Sequence, residues 1–176
     1  NIQYQAYYYL VNELKKQYPA LRNENKGVQY TVIDGPLQLL NITYPSQEIN
    51  INKMYGKGGL LNIMSREKGK KNYVYKKETL EKYGRFFSEE HIGKYSAKIN
   101  SIIKKIKESK GIVMIYSQYI EGGCVPLALA LEELGLVRYG NTSLFKEKNK
   151  NPYMFTNQSN KKFQGKYTMI TGDVLL

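Results

Sequence analysis

Residues 111–135 read GIVMIYSQYIEGGCVPLALALEELG, and their order decides the fold. GIVMIYS is a short, nearly continuous apolar run rich in β-branched residues. That pattern suits a central parallel strand covered by helices on both faces. Gly122 and Gly123 follow, then Pro126, which fits the first turn of a helix because its missing N–H would go unpaired there anyway. LALALEEL continues the helix, and Gly135 is placed to cap it. The polar pair Ser117-Gln118 stands where the strand should end. In open parallel sheets, ligands bind beyond the carboxyl ends of the strands. A short hydroxyl, an amide and the N–H groups of a helix start suit contacts to phosphate oxygens. Ser or Thr at a strand end also serves turn formation, so both readings stand open at this point.

The same logic extends outward. Tyr95, Ile99, Ile102, Ile103 and Ile106 recur at helical spacing with lysines opposite, which predicts an amphipathic helix over 94–109. Leu136 to Tyr139 is a second, short strand. KYTMITGD (166–173) is a further buried-strand candidate and ends in a small polar pair, Thr171-Gly172. Helix, strand, helix, strand, strand is a βαβ-type order, implying a parallel sheet with right-handed crossovers. Residues 140–165 are Lys- and Asn-rich without periodicity and read as an insertion or surface loop.

Toward the N-terminus, residues 2–18 suit a helix with Ile2, Ala6, Tyr9, Leu10 and Leu14 on one side, its tyrosines packing inward. Val28 to Ile33 reads as a strand ending at the turn signal Asp34-Gly35-Pro36. LQLLNITYP (37–45) is apolar and stops at a proline. Gly56-Lys57-Gly58-Gly59 reads as a flexible turn. SREKGKKNYVYKKET (65–79) is basic with Tyr73 and Tyr75 interleaved. Aromatics among lysines can stack bases while the charges hold phosphates; a solvated hairpin is the commoner outcome for such a stretch.

The 176 residues suffice for one substantial domain, with or without an appendage. Twenty-seven Lys and Arg against 15 Asp and Glu give a net charge of +12. That favours polyanionic partners, nucleic acid first, although a coding sequence rich in A and T would also enrich Lys, Asn, Ile and Tyr. One cysteine, Cys124, and one histidine, His91, exclude an internal disulfide and a four-Cys zinc site, and fit a reducing compartment. No apolar run approaches the roughly 20 residues of a membrane span, and no signal peptide is visible. With no Met at position 1 and Val174-Leu175-Leu176 at the other end, both ends read as cut, and the chain as a fragment.

Several chemistries lack their motifs. There is no GxxxxGK[ST], no GxGxxG after a strand and no GxSxG. Glu89-Glu90 and Glu132-Glu133 are adjacent pairs whose side chains point apart on a helix, so they read as surface charge. Cys124, near a helix start, is a candidate for a lowered thiol pKa. Without a base partner it reads as a packing residue.

YGRFFSEEHIGKYSAKINSIIKKIKESKGIVMIYSQYIEGGCVPLALALEELG (83–135) resembles the opening of the second RecA-like domain of superfamily 2 helicases. It resembles most the DEAD/SNF2-like helicases of large cytoplasmic DNA viruses, relatives of the poxvirus nucleoside triphosphatase and early-transcription-factor helicases. IYSQYIEGG resembles the motif IV region. NIQYQAYY (1–8), VQYTVIDGPLQLLNITYP (28–45) and YGKGGLLNIM (55–64) look like the family's linker elements, and KYTMITGD like the strand before the next motif.

The resemblance implies an α/β fold: a partial RecA-like, three-layer domain of the P-loop NTPase type, preceded by a mixed helical and β linker region. The linker would cover 1–82 and the domain 83–176, with the insertion at about 140–165. It also implies a nucleic-acid-dependent ATPase or helicase in viral transcription or nucleic-acid remodelling, with a cytoplasmic location and no membrane role. ATP and Mg would serve the full-length parent. The phosphate loop and Asp-Glu box belong to the first RecA-like domain, and the arginine motif lies beyond Leu176, so no catalytic residue carries over and the fragment alone should be inactive. What carries over is nucleic-acid contact at the motif IV region, Ser117, Gln118 and Tyr119, and at Thr171 and Gly172; basic contacts from Lys70, Lys71, Lys76, Lys77, Lys94 and Lys98 are expected from charge alone. Gln118 could instead close the domain interface. The implied partners are DNA or RNA, the first RecA-like domain of the parent and a viral RNA polymerase. The rival reading is a non-catalytic basic α/β scaffold that binds transcription proteins or nucleic acid.

Overall fold

The computed structural model describes residues 2–18, 30–46, 50–66, 72–140, 143–147, 151–157 and 159–172. Within them the chain is mixed helix and strand. α1 (Ile2–Gln17) and α2 (Tyr30–Asn41) lead, and a 3-10 turn (Ile51–Lys53) precedes α3 (Gly56–Ile63). β1 (Met64–Arg66) and β2 (Tyr73–Tyr75) form an antiparallel pair. α4 (Lys77–Tyr83), α5 (Glu89–Ile92) and α6 (Ala97–Glu108) follow. A π-turn (Ile120–Cys124) runs into α7 (Val125–Leu134). β3 (Val137–Arg138) pairs in parallel with β6 (Lys166–Tyr167), and β4 (Met154–Thr156) pairs antiparallel with β5 (Lys162–Gln164).

The core is aromatic and lies between α3, the β1–β2 pair and α7. Phe86 stacks on Tyr44 with ring centroids 5.7 Å apart and on Tyr95 at 4.3 Å, and meets Phe87 edge-on at 5.1 Å. Ile42, Leu60 and Ile63 share this cluster with Val125 and Leu129. One core therefore runs across the 82/83 division.

Several sequence expectations meet the structure directly. α6 buries Ile99, Ile103 and Ile106 and is capped by Ser96, whose hydroxyl accepts from the Ile99 N–H at 2.9 Å. Pro126 sits in the first turn of α7, and Gly135 caps it in the left-handed region at φ 100°. β3 forms at 137–138, parallel to β6.

Others are overturned. Residues 30–33 are not strand but the first turn of α2, which continues through Asp34, Gly35 and Pro36. Burial decides this: Leu39 packs on Ala6 and Leu10 of α1, and a Cβ on Gly35 would sit 3.1 to 3.3 Å from Tyr55 and Leu10. Gly56, Gly58 and Gly59 open α3 rather than a flexible turn. A Cβ at Gly59 would lie 2.2 Å from the Tyr44 ring, so close approach is what the glycine provides. On α1 it is Gln3, Ala6 and Leu10 that are buried, while Tyr4, Tyr8 and Tyr9 face solvent. Residues 140–165 hold the β4–β5 hairpin and two core residues, Leu144 and Phe145, rather than only a surface loop.

The largest correction concerns the stretch that decided the fold. Residues 111–117 are not a buried strand. Ile112, Met114 and Tyr116 are 103%, 93% and 88% exposed, and Val113 and Ile115 44% and 41%. Ile112 to Tyr116 make no hydrogen bond to any described residue. The exposure still alternates with period two, as in a strand; the sheet neighbour is what is lacking. β6 is likewise short: its ladder stops at Tyr167, and Ile170 is 91% exposed rather than buried. Among the described residues, no helix is long and apolar enough to cross a membrane.

Candidate nucleic-acid interface

Ser117 closes the turn after the exposed run. Its hydroxyl accepts from the Tyr119 N–H and donates to the Tyr119 carbonyl, each at 3.2 Å. The Cys124 thiol donates to the Ser117 carbonyl at 3.8 Å. Gly123 is required here, since a Cβ on it would lie 2.2 Å from the Ser117 hydroxyl. Burial pushes the Cys124 thiol up from its ordinary value, the opposite of an activated nucleophile.

Gln118 is held from the side. Its amide donates to the phenol of Tyr30, and the hydroxyls of Tyr30 and Tyr119 lie 3.3 Å apart. On the same face of α2, Gln38 donates to Asp34 at 2.8 Å. The Gln38 side chain also fills the space against Gly56 and Gly122, where a Cβ on either would meet its Oε1 at 2.5 Å. Burial and the hydrogen bond shared with Tyr30 push the Tyr119 phenol well above its usual range. Tyr30, Asp34 and Gln38 thus clamp the 118–122 turn to α2. The sequence reading missed them because it placed 28–33 in a strand, where the helical spacing of 30, 34 and 38 carries no meaning.

Ser117 and the 164–170 stretch border one groove of about 1040 Å³. Its floor is apolar, from Ile106, Leu127, Ala128 and Leu131, and its rims are residues 111–117 and 164–170. Thr171 is half-buried. Gly172 is exposed, and a Cβ there would meet nothing within 4 Å.

The lysines divide. Lys70 and Lys71 lie outside the described residues. Lys76 donates to the Leu61 carbonyl at 2.6 Å, Lys98 to Asn41 Oδ1 at 2.6 Å, and Lys77 lies 3.8 Å from Glu81. Lys94 is exposed. Tyr73 and Tyr75 are buried in the core, so neither serves as a base-stacking platform.

Glu132 and Glu133 are also buried, not surface charge. Glu133 accepts from the Tyr75 phenol at 2.7 Å and from Arg85 at 2.9 Å. Glu132 accepts from the N–H groups of Leu144 and Phe145 at 2.8 and 2.9 Å, from the Tyr167 phenol at 2.7 Å, and from Ser143 at 2.5 Å. Every oxygen of both carboxylates has a donor, which makes them structural. Among the described residues no group of three His, Cys, Asp or Glu side chains could hold a metal ion. No family model, no curated protein and no solved structure matches the chain.

Proposed function

We propose that this chain is part of a nucleic-acid-dependent ATPase or helicase, in which it forms the start of the second RecA-like domain and grips the backbone of a nucleic-acid strand. The observation that carries the reading is the unit at 111–138: a strand-like run, a Gly-rich turn, a helix, and a strand that pairs in parallel with β6. Ser117 and the 164–170 stretch line one groove, and the small polar pair Thr171-Gly172 follows that stretch directly in sequence. The net charge of +12 adds a sequence-independent attraction to phosphate.

The residues present do not fit ATP and Mg. The chain has no phosphate loop, and its buried carboxylates are consumed by hydrogen bonds. What this chain contributes is positioning: Ser117, Gln118 and the turn that follows would hold phosphate oxygens while the parent's other domain does the chemistry. The test uses the parent protein. Ser117→Ala with Gln118→Ala should lower nucleic-acid-stimulated ATPase while leaving the basal rate unchanged; stimulation equal to wild type removes the assigned role.

The exposed apolar run 112–116 favours a second reading, a basic scaffold that docks other proteins through that run. A parent with no stimulated ATPase at all, but intact nucleic-acid binding, would select it.

A further inference from the structure

Aromatics set among lysines, which the core absorbs at Tyr73 and Tyr75, recur on the surface in the β4–β5 hairpin. Phe155 and Phe163 are register partners across the pair, and their rings stack with centroids 5.8 Å apart and planes 23° apart. Tyr153 meets Phe155 edge-on at 4.8 Å, and Phe155 packs against the cluster of Ile106, Leu131 and Leu136. A Cβ on Gly165 would lie 2.5 Å from the Phe155 ring, so the glycine makes room for that ring. Phe163 is thus propped by a seated neighbour, yet it remains 51% exposed where it lines the groove. The turn that presents it is closed by Asn157, whose Oδ1 accepts from the N–H groups of Ser159 and Lys161 at 2.9 and 2.8 Å.

The charge around this ring has one sign. From Asn151 to Gly172 the chain has three lysines, Lys161, Lys162 and Lys166, and no Asp or Glu. All three are exposed, and none forms an ion pair with a described residue. Lys110, just after α6, lines the same groove. An exposed ring among unpaired cations does not suit contact with a second copy of a chain that carries a charge of +12. It suits a ligand that combines flat apolar faces with regularly spaced negative charge, which is single-stranded nucleic acid.

We propose that the β4–β5 hairpin is a base-stacking element, in which Phe163 bears a base and Lys161 and Lys162 hold the flanking phosphates. The ring and both lysines lie within residues 140–165, outside the elements that carry the family resemblance. The hairpin precedes the amino end of β6, whereas Thr171-Gly172 follows its carboxyl end. It shares no residue with the Ser117-Gln118 turn. The ligand rests on the nucleic-acid reading above; the residues are separate from it.

The test compares a single-stranded oligonucleotide with an abasic strand of the same length. Phe163→Leu keeps an apolar side chain but loses the ring, and should weaken binding of the oligonucleotide about 5- to 150-fold. It should bind the abasic strand as wild type does, which also reports that the variant is folded. Phe163→Trp should keep the affinity. Because the wild-type chain has no Trp, the fluorescence of this variant reads the site alone, and the oligonucleotide should quench it where the abasic strand does not. Lys161→Gln with Lys162→Gln should reduce the slope of log K against log salt by about 1.4, at about 0.7 for each phosphate neutralised. Equal affinity of Phe163→Leu and wild type, or an equal loss on both strands, would overturn the stacking role, and an unchanged salt slope would overturn the phosphate contacts. Ser117→Ala with Gln118→Ala is measured alongside. A loss there with none at Phe163 overturns the hairpin and keeps the grip of the turn. A loss at Phe163 with none there upholds the hairpin and removes the grip of the turn. A wild-type chain that binds no oligonucleotide overturns both.

Discussion

The side-chain amide of Gln118 is bound to the phenol of Tyr30, 88 residues earlier in the chain, and this bond ties the turn after the exposed run to α2. The contact takes up one of the two N–H groups of the amide and fixes its direction, whereas the proposed phosphate grip needs the amide turned to the ligand. Binding of a strand and the clamp on α2 therefore compete for one amide.

Tyr30→Phe removes the acceptor and leaves the ring. A net hydrogen bond contributes about 0.5–1.5 kcal/mol, so the variant should bind a single-stranded oligonucleotide about 2- to 10-fold more tightly. Fluorescence anisotropy reads the change. Weaker binding would mean that Tyr30 is a support for Gln118 rather than its competitor.

Glu132 anchors the 143–145 segment with two backbone N–H groups and two hydroxyls. Glu132→Ala leaves buried donors without acceptors and should cost about 2–4 kcal/mol in urea unfolding. Glu132→Gln keeps one carbonyl acceptor and should cost less. Equal and negligible effects in both would return Glu132 to the surface role that its sequence suggested.

Gly59→Ala sets two effects against each other. Alanine favours a helix by roughly 0.5–1 kcal/mol over glycine. The added Cβ, however, would sit 2.2 Å from the Tyr44 ring in the core, and overpacking of this kind costs about 1–3 kcal/mol. The net should be destabilising. Gly172→Ala, where the new Cβ meets nothing, should stay within about 0.5 kcal/mol of wild type.

Tyr75 and Tyr167 are pushed far above the ordinary phenol value, first by burial and then by Glu133 and Glu132 respectively. The fold thus holds their protons more tightly than the unfolded chain does. Their contribution to stability is complete below the unfolded phenol value of about 10 and is lost progressively as pH rises above it. Denaturation midpoints should be insensitive to these groups at neutral pH and fall above about pH 10. In an ultraviolet titration, both phenols should ionise only as the chain unfolds.

Helices with a clear apolar stripe were legible from the sequence: α6 with its isoleucines, and α7 between Pro126 and Gly135. Burial was less legible where a segment depends on a distant neighbour. GIVMIYS has the composition of a central strand, but composition cannot supply the strand beside it, and in the structure Ile112 and Met114 face solvent. Gly58 and Gly59 signalled flexibility because glycine serves both turns and close packing; only the position of Asn52 and Tyr44 separates the two. In the candidate site, Ser117 and Gln118 stood out by breaking an apolar run. Tyr30 and Asp34 did not, since their role depends on a helix that a β-rich reading of 28–33 concealed.

The most direct measurement is the affinity of the 176-residue chain for a single-stranded oligonucleotide across salt concentrations, compared with Gln118→Ala. The account predicts that log K falls linearly with log salt, by about 0.7 for each phosphate neutralised, and that Gln118→Ala weakens binding at every salt concentration. Binding that is independent of salt, or unchanged by Gln118→Ala, would contradict it.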